Sequence, residues 1–218
     1  MNYRTIDMDT LPRRAHFEYF KGLAYPYVGL TVNVDITEFL AQQKRLGLPF
    51  YLALAYCVTR AANSVPEFRR RIHGDGIIEY DWCHGSHTVA LSDETYCYCT
   101  LDCRMPFTEY LPRAKAAWEC AKAVSSIEDG EDADSLLYFS SIPWLSFTSV
   151  IQPTPSPADS NPRINWGKYF ENNGCTLLPL AVLCNHALVD GLHIARFYSA
   201  LDRELEELTG QLRAVSDN

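Results

Sequence analysis

The sequence predicts an α+β fold, a two-layer sandwich in which helices cover one mixed β-sheet. Three observations point to it. Short runs through the middle alternate apolar and polar residues with the period of two that half-buried strands show. The C-terminal stretch places Ile194, Tyr198, Leu201, Leu205, Leu208 and Leu212 on one helical stripe. Helix and strand signals follow one another with no internal repeat and no linker, so residues 1–218 read as one domain.

Residues 3–9 read as a short strand. Thr10 is expected to cap a helix that starts at Leu11 and Pro12, since proline is tolerated in the first turn, and that carries Arg13, Arg14, His16, Phe17 and Phe20. In YVGLTVNVDI, Val28, Leu30, Val32 and Val34 alternate as in a strand. Thr37 and Glu38 open a helix closed by Gly47. Pro49, Phe50 and Tyr51 open a strongly apolar helix that runs to about Ala62. Gly74-Asp75-Gly76 is a turn between short strands, with further strands over 77–81, 86–91 and 95–102. A helix over 107–123 precedes the acidic segment SSIEDGEDADS, which reads as a solvated loop. Residues 136–150 read as a strand interrupted at Pro143, and PTPSPADSNP as a loop. Strands over 164–171 and 176–184 flank the hairpin signal Asn172-Asn173-Gly174.

Composition excludes several classes of function. Of 218 residues, 47% are hydrophobic and 12% aromatic, enough for a sizeable core and unlike a disordered chain. A net charge of −8 argues against a nucleic-acid partner, which needs clustered positive charge, but a few local cations suffice for a phosphate-bearing small molecule. The N-terminal MNYRTIDMDTLPRRAHF lacks the apolar segment of a secretory signal, and no stretch is long enough to span a bilayer. A cytoplasmic protein without a membrane partner is therefore expected. Its cysteines, at 57, 83, 97, 99, 103, 120, 175 and 184, are expected as reduced and mostly buried thiols.

The candidate chemistry gathers where LLPLAVLC ends. That continuous apolar run reads as a strand buried on both faces. His186 follows it, and Asp190-Gly191 turns into the last helix with Asp190 as its cap. Alone, H-x-x-x-D-G has only three fixed positions, and a buried, hydrogen-bonded histidine beside a capping aspartate accounts for it.

The rest of the chain resembles the chloramphenicol acetyltransferase family over nearly its full length. TLPRRAHFEYF, VDITEFL, PFYLALAYCVTRAANSVPEFRRRI, SIPWLSFTS, INWGKY and LLPLAVLCNHALVDGLHIARF are similar to family blocks in the same order. The resemblance implies a homotrimer with active sites at subunit interfaces. It implies acetyl transfer from acetyl-coenzyme A to a hydroxyl of a small acceptor, chloramphenicol first among them, without a metal. The family's catalytic histidine maps to His186, the motif's aspartate to Asp190 and its arginine partner to Arg13. The transition-state serine, four residues before the tryptophan of S-x-x-P-W, maps to Ser140. Acceptor contacts map to Tyr19, Phe20, Ala24 and Tyr96, and coenzyme contacts to Tyr51, Trp144, Asn165, Lys168 and Tyr169.

Each role has a physical reason. A neutral imidazole can take the proton of a hydroxyl as it attacks the thioester, contributing on the order of 10²–10⁴ in rate. A hydroxyl donor aimed at the resulting oxyanion is worth about 3–4 kcal/mol. Asp190 and Arg13 read as a buried ion pair that holds the histidine turn, and breaking it from one side costs roughly 3–5 kcal/mol.

The sequence departs from the family mostly at binding positions. Asn185 stands where the family has a first histidine, Phe20 where it has an acceptor-binding tyrosine, Asn165 where it has a threonine and Pro49 where it has a lysine. Residues 151–162, which help wall the acceptor pocket in the family, resemble it poorly. The acyl-transfer groups are kept, while the acceptor stands open between chloramphenicol and another alcohol. Three other readings compete. The acyltransferase core of a 2-oxo acid dehydrogenase complex shares the H-x-x-x-D-G motif, but those chains carry a lipoyl module and linker before the core. A non-catalytic binding protein is weighed against by the presence of both base and oxyanion donor. A metal site at Cys83, His84, His87, Cys97, Cys99 and Cys103 fits no standard zinc spacing.

Overall fold

The computed structural model describes residues 1–128, 130 and 132–214. Two sheets organise the chain. The smaller is antiparallel, in the order β1 (Tyr3–Thr5), β4 (Gly76–Tyr80), β3 (Arg70–His73). Its hairpin turns at Gly74, whose φ of +57° is one that a side chain would resist. The larger sheet has seven strands. It runs β2 (Tyr27–Asp35), β10 (Cys175–Asn185), β8 (Arg163–Gly167), β7 (Leu136–Ile142), β5 (His84–Ala90), β6 (Tyr96–Leu101), with β9 (Phe170–Asn172) also paired to β10. β7 is parallel to both β8 and β5, and the remaining pairs are antiparallel, so the sheet is mixed as expected.

Among the described residues, five α-helices complete the fold: α1 (Arg14–Lys21), α2 (Thr37–Leu46), α3 (Phe50–Asn63), α4 (Phe107–Val124) and α5 (Gly191–Ala214). α3 is apolar on all sides and is buried almost throughout from Leu52 to Asn63, as befits a helix with neighbours on every side. It packs against α5, α4 and β5, while α4 lies on β5 and β6 and α5 reaches β2. The whole α5 stripe from Ile194 to Leu212 is buried. Helices therefore cover one face of the large sheet. Among the described residues, no helix is long and apolar enough to cross a membrane.

Local chemistry explains the elements read correctly. Gly47 ends α2 in the left-handed region (φ 60°), where it satisfies the last carbonyls of the helix. Asn173 and Gly174 both have positive φ, the geometry of a two-residue I′ hairpin between β9 and β10. β10 is central and largely buried, which accounts for its continuous apolar run.

Four boundaries differ from the sequence reading. The first strand stops at Thr5, because the Asp9 amide donates to Asp7 Oδ1 (3.0 Å) and bends the chain. Thr10 does not cap α1; its hydroxyl turns back to the Asp7 carbonyl, and the helix starts only at Arg14. The strand expected over 136–150 ends at Ile142, before Pro143, which has no amide to donate to a ladder. The strand expected over 164–171 is split into β8 and β9, because the Lys168 amide is taken by the Leu145 carbonyl (2.8 Å). The acidic segment is exposed at residues 125, 127, 128, 130 and 132 and buried at Ser135; residues 129 and 131 lie outside the described residues.

All eight cysteines are free thiols. Cys57, Cys83, Cys97, Cys99, Cys103 and Cys184 are buried, Cys175 is half-buried and Cys120 is exposed. Burial pushes Cys103 up to about 12, and raises Cys57 and Cys184 well above the ordinary thiol value.

Two measurements test this packing. A Cβ on Gly167 would come within 2.8 Å of both the Leu145 carbonyl oxygen and the Phe147 ring. Gly167→Ala is expected to cost about 1–3 kcal/mol, read as a lower denaturation midpoint at constant m-value. Burial also pushes the imidazole of His87 down to about 4 from an ordinary 6.5. The unfolded chain then binds this proton before the folded one does, so stability is full above pH 6.5 and is lost as pH falls towards 4. The expected loss is on the order of 3 kcal/mol, and His87→Phe should flatten that stretch of the stability–pH curve.

Candidate active site

β10 delivers His186 to the end of the sheet, and the following turn fixes its ring. The His186 amide donates to the Pro26 carbonyl (2.7 Å), which ties the turn to the start of β2. Its Nδ1 lies 2.8 Å from the Val189 carbonyl. A carbonyl oxygen only accepts, so Nδ1 carries the hydrogen, and Nε2 of the neutral ring is left as an acceptor. The Phe20 ring lies flat on the imidazole, with centroids 3.9 Å apart and planes 24° from parallel. Phe20 therefore acts as a lid on the ring.

The turn is braced on both sides. Before His186, buried Asn185 accepts from the Ala187 amide (3.1 Å) and donates to the Asp159 carbonyl (2.9 Å). After it, Asp190 caps α5 by accepting from the Leu192 amide (3.0 Å), and its other oxygen takes Nη1 of Arg13. The Asp190 amide donates to Nδ1 of His193 (3.0 Å). Burial would raise the Asp190 carboxyl, but His193, Arg13 and the amides of Leu192 and His193 together hold it below its ordinary value. The ion pair is half open rather than buried, with side chains 22% and 28% exposed, and Arg13 engages through Nη1 alone while Nε and Nη2 are buried without a partner. The 3–5 kcal/mol expected of a buried pair is therefore too large, because solvent shares in stabilising both charges.

Ser140 lies elsewhere, on the sheet face that the helices leave uncovered. Strand pairing sets it beside Asn165 on β8, and the Thr88 hydroxyl on β5 reaches Ser140 Oγ (3.4 Å). Tyr96, Ser140, Trp144 and Asn165 line one open cleft of about 1170 Å³, with residues 150–153 forming part of its wall. His186, Phe20, Arg13 and Asp190 do not line it. The strand register places Ser140 two strands from Ala181, which is five residues before His186. At standard strand spacings the serine and histidine backbones are roughly 19 Å apart within one protomer.

The remaining positions divide as follows. Tyr19 is 67% exposed and touches Phe20 edge-on (5.1 Å), and Ala24 is exposed. Lys168 is exposed after β8, and Tyr169 packs on Phe50 (5.8 Å) beneath Lys44. Tyr51 sits in an aromatic cluster with Trp166 (5.0 Å), His87 (5.1 Å) and Trp118 (5.7 Å), with its hydroxyl buried and unpartnered. Among the described residues, no group of three or more His, Cys, Asp or Glu side chains could hold a metal ion. Sequence reasoning missed Thr88, His193 and the Val189 carbonyl. His193 stands one helical turn after Asp190, a spacing that could have drawn attention to it; a backbone carbonyl leaves no mark in a sequence.

Comparison with known proteins bears on this arrangement. The family model described as chloramphenicol acetyltransferase matches residues 1–202. A chloramphenicol acetyltransferase of Clostridium perfringens is 31% identical over 208 residues, covering 91% of this chain and 93% of that protein. One from Klebsiella sp is 28% identical over 210 residues, covering 95% and 96%. A solved chloramphenicol acetyltransferase has a TM-score of 0.83 at 24% identity, covering 94% of this chain and 100% of the other. A solved dihydrolipoamide acetyltransferase of Azotobacter vinelandii has a TM-score of 0.65 at 18% identity, covering 90% and 87%. These two structures speak to the fold alone. Matched along most of its length, the chain belongs to the chloramphenicol acetyltransferase family and is an acyltransferase.

Proposed function

We propose that the protein moves an acetyl group from acetyl-coenzyme A to a hydroxyl of a small acceptor, with chloramphenicol the first acceptor to test. The observation that carries this reading is the fixed tautomer of His186: Nδ1 is tied to the Val189 carbonyl and Nε2 is left to accept a proton. An alcohol is a weak nucleophile near neutral pH. In a ternary complex, Nε2 takes the hydroxyl proton as the acceptor oxygen bonds to the thioester carbon. The carbonyl oxygen becomes an oxyanion, and the Ser140 hydroxyl is suited to donate to it. Collapse breaks the carbon–sulfur bond, and the imidazolium returns its proton to the departing thiolate. Acetyl ester and free thiol leave, with no acyl-enzyme and no need for a metal.

The separation of Ser140 and His186 within one protomer supports sites shared between copies. In a homotrimer, His186 of one copy would face the Ser140 cleft of its neighbour. Asp190 and Arg13 act as positioning residues that hold the turn. Trp144, Asn165, Lys168 and Tyr169 are the coenzyme contacts in this reading. Tyr51 supports them from within the aromatic cluster. Tyr19, Phe20, Ala24 and Tyr96 border the acceptor. A cytoplasmic setting, with reduced thiols and acetyl-coenzyme A at hand, fits the same picture.

Thiol release from acetyl-coenzyme A in the presence of chloramphenicol or a panel of small alcohols is expected for the wild type. His186→Ala should lower it by about 10²–10⁴-fold; equal release would remove the general-base role. Ser140→Ala should lose about 10²–10³-fold in kcat. Reassembling His186→Ala and Ser140→Ala subunits together should restore activity, because some shared sites then hold both native groups. A site built within one subunit gives no recovery. Arg13→Ala should cost about 1–3 kcal/mol of stability and lower activity, while acceptor KM changes little.

A further inference from the structure

The sheet face that carries Ser140 also carries an ion pair that the acetyl-transfer steps do not use. Arg163 on β8 is 9% exposed. It donates from Nη1 to Asp159 Oδ1 (2.8 Å) and from Nη2 to Asp159 Oδ2 (2.7 Å), and Nη1 also reaches the Asn161 carbonyl (3.2 Å). Its guanidinium lies over the rings of Tyr138 (5.5 Å) and Tyr27 (6.0 Å). The Tyr27 hydroxyl donates to Asp159 Oδ1 (2.9 Å) and accepts from the Asp159 amide (3.0 Å). Both charged residues line the cleft, and Arg163 stands two positions before Asn165, the strand partner of Ser140. Asp159 belongs to the 151–162 segment, which resembles the family poorly.

We propose that Arg163 and Asp159 set the class of acceptor: an alcohol bearing further hydroxyls, such as a polyol or sugar-like ring, rather than an apolar alcohol. This rests on the acetyl-transfer reading above and names the substrate of the same site. A guanidinium has five N–H donors, of which these bonds use three, and each carboxylate oxygen can accept more than one hydrogen bond. An apolar group pressed against the pair strips water from it and returns no hydrogen bond. A hydroxyl both donates and accepts, so neighbouring hydroxyls on one ring can meet the guanidinium and the carboxylate together. Thr88 and Ser140 continue the polar floor, while Tyr96, exposed at the rim, offers a flat face to the C–H side of such a ring. A site built on hydrogen bonds rejects analogues that lack them more strongly than an apolar pocket does.

Calorimetric titration of the wild-type protein, without coenzyme, tests this with methyl α-D-glucopyranoside and benzyl alcohol as probes. The glucoside is expected to bind at least about tenfold more tightly. The double variant Arg163→Met, Asp159→Leu should reverse that order, since removing both charges leaves neither unpaired. Equal binding of the two probes by the wild type, or tighter binding of benzyl alcohol, overturns the proposal whether or not the double variant folds. An unchanged order in a folded double variant overturns it as well. Thiol release with chloramphenicol and with the glucoside tests the parent reading separately. Glucoside binding without thiol release from any acceptor would sink the acetyl transfer and leave the assigned ligand class standing.

Discussion

One hydrogen bond, between Nδ1 of His186 and the carbonyl of Val189, decides which nitrogen of this ring is left to accept a proton. It spans three residues of a single turn, so it depends wholly on the backbone path between β10 and α5. With the hydrogen on Nε2 instead, that nitrogen could only donate. The tautomer is thus a property of the turn, and the turn is a property of what braces it. β10 anchors one end in the core, and α5, capped by Asp190, anchors the other. Asn185 ties the turn to the cleft wall through Asp159, and Arg13 ties it to the N-terminal helix. Phe20 completes the brace from the flat side of the ring.

The large sheet divides its labour by face. One side is sealed by apolar helices, with α3 buried almost throughout. The other carries hydroxyl, amide and charged side chains in strand register. That face leaves these polar groups open beside exposed apolar side chains such as Trp144 and Ile151, which suits it to a ligand or a second copy. The geometry within a protomer leaves histidine and serine far apart, so rigidity of the sheet becomes an advantage. Each group is held by its own framework, as the shared site proposed above requires.

Much of the fold could be read from the chain, because the strongest signals were local. The α5 stripe, the positive-φ turn at Asn173 and Gly174, and the αL glycine after α2 each follow from a few neighbouring residues. The errors came from contacts across the chain. The split between β8 and β9 is set by a carbonyl more than twenty residues earlier, and no local pattern announces it. The late start of α1 reflects a turn at Asp7 that competes with Thr10 for the role of boundary. His186, Asp190, Ser140 and Arg13 could be singled out because ordered sequence blocks carry them; the structure gathers Arg13 and Asp190 at the histidine turn and sets Ser140 apart on β7. The Val189 carbonyl was not, being backbone. Nor was the Asp159–Arg163 pair, whose segment follows no familiar pattern. The exposure of the Arg13–Asp190 pair depends on how α1 docks, which side-chain chemistry alone does not specify.

Six of the eight thiols lie in the core, leaving Cys120 on α4 and Cys175 at the start of β10 as the reagent-facing ones. Neither belongs to the histidine turn or the serine cleft. A maleimide dye would therefore mark the protein at two native positions away from both, giving a spectroscopic ruler without engineering. Energy transfer between such labels on separate copies would show whether the chains associate.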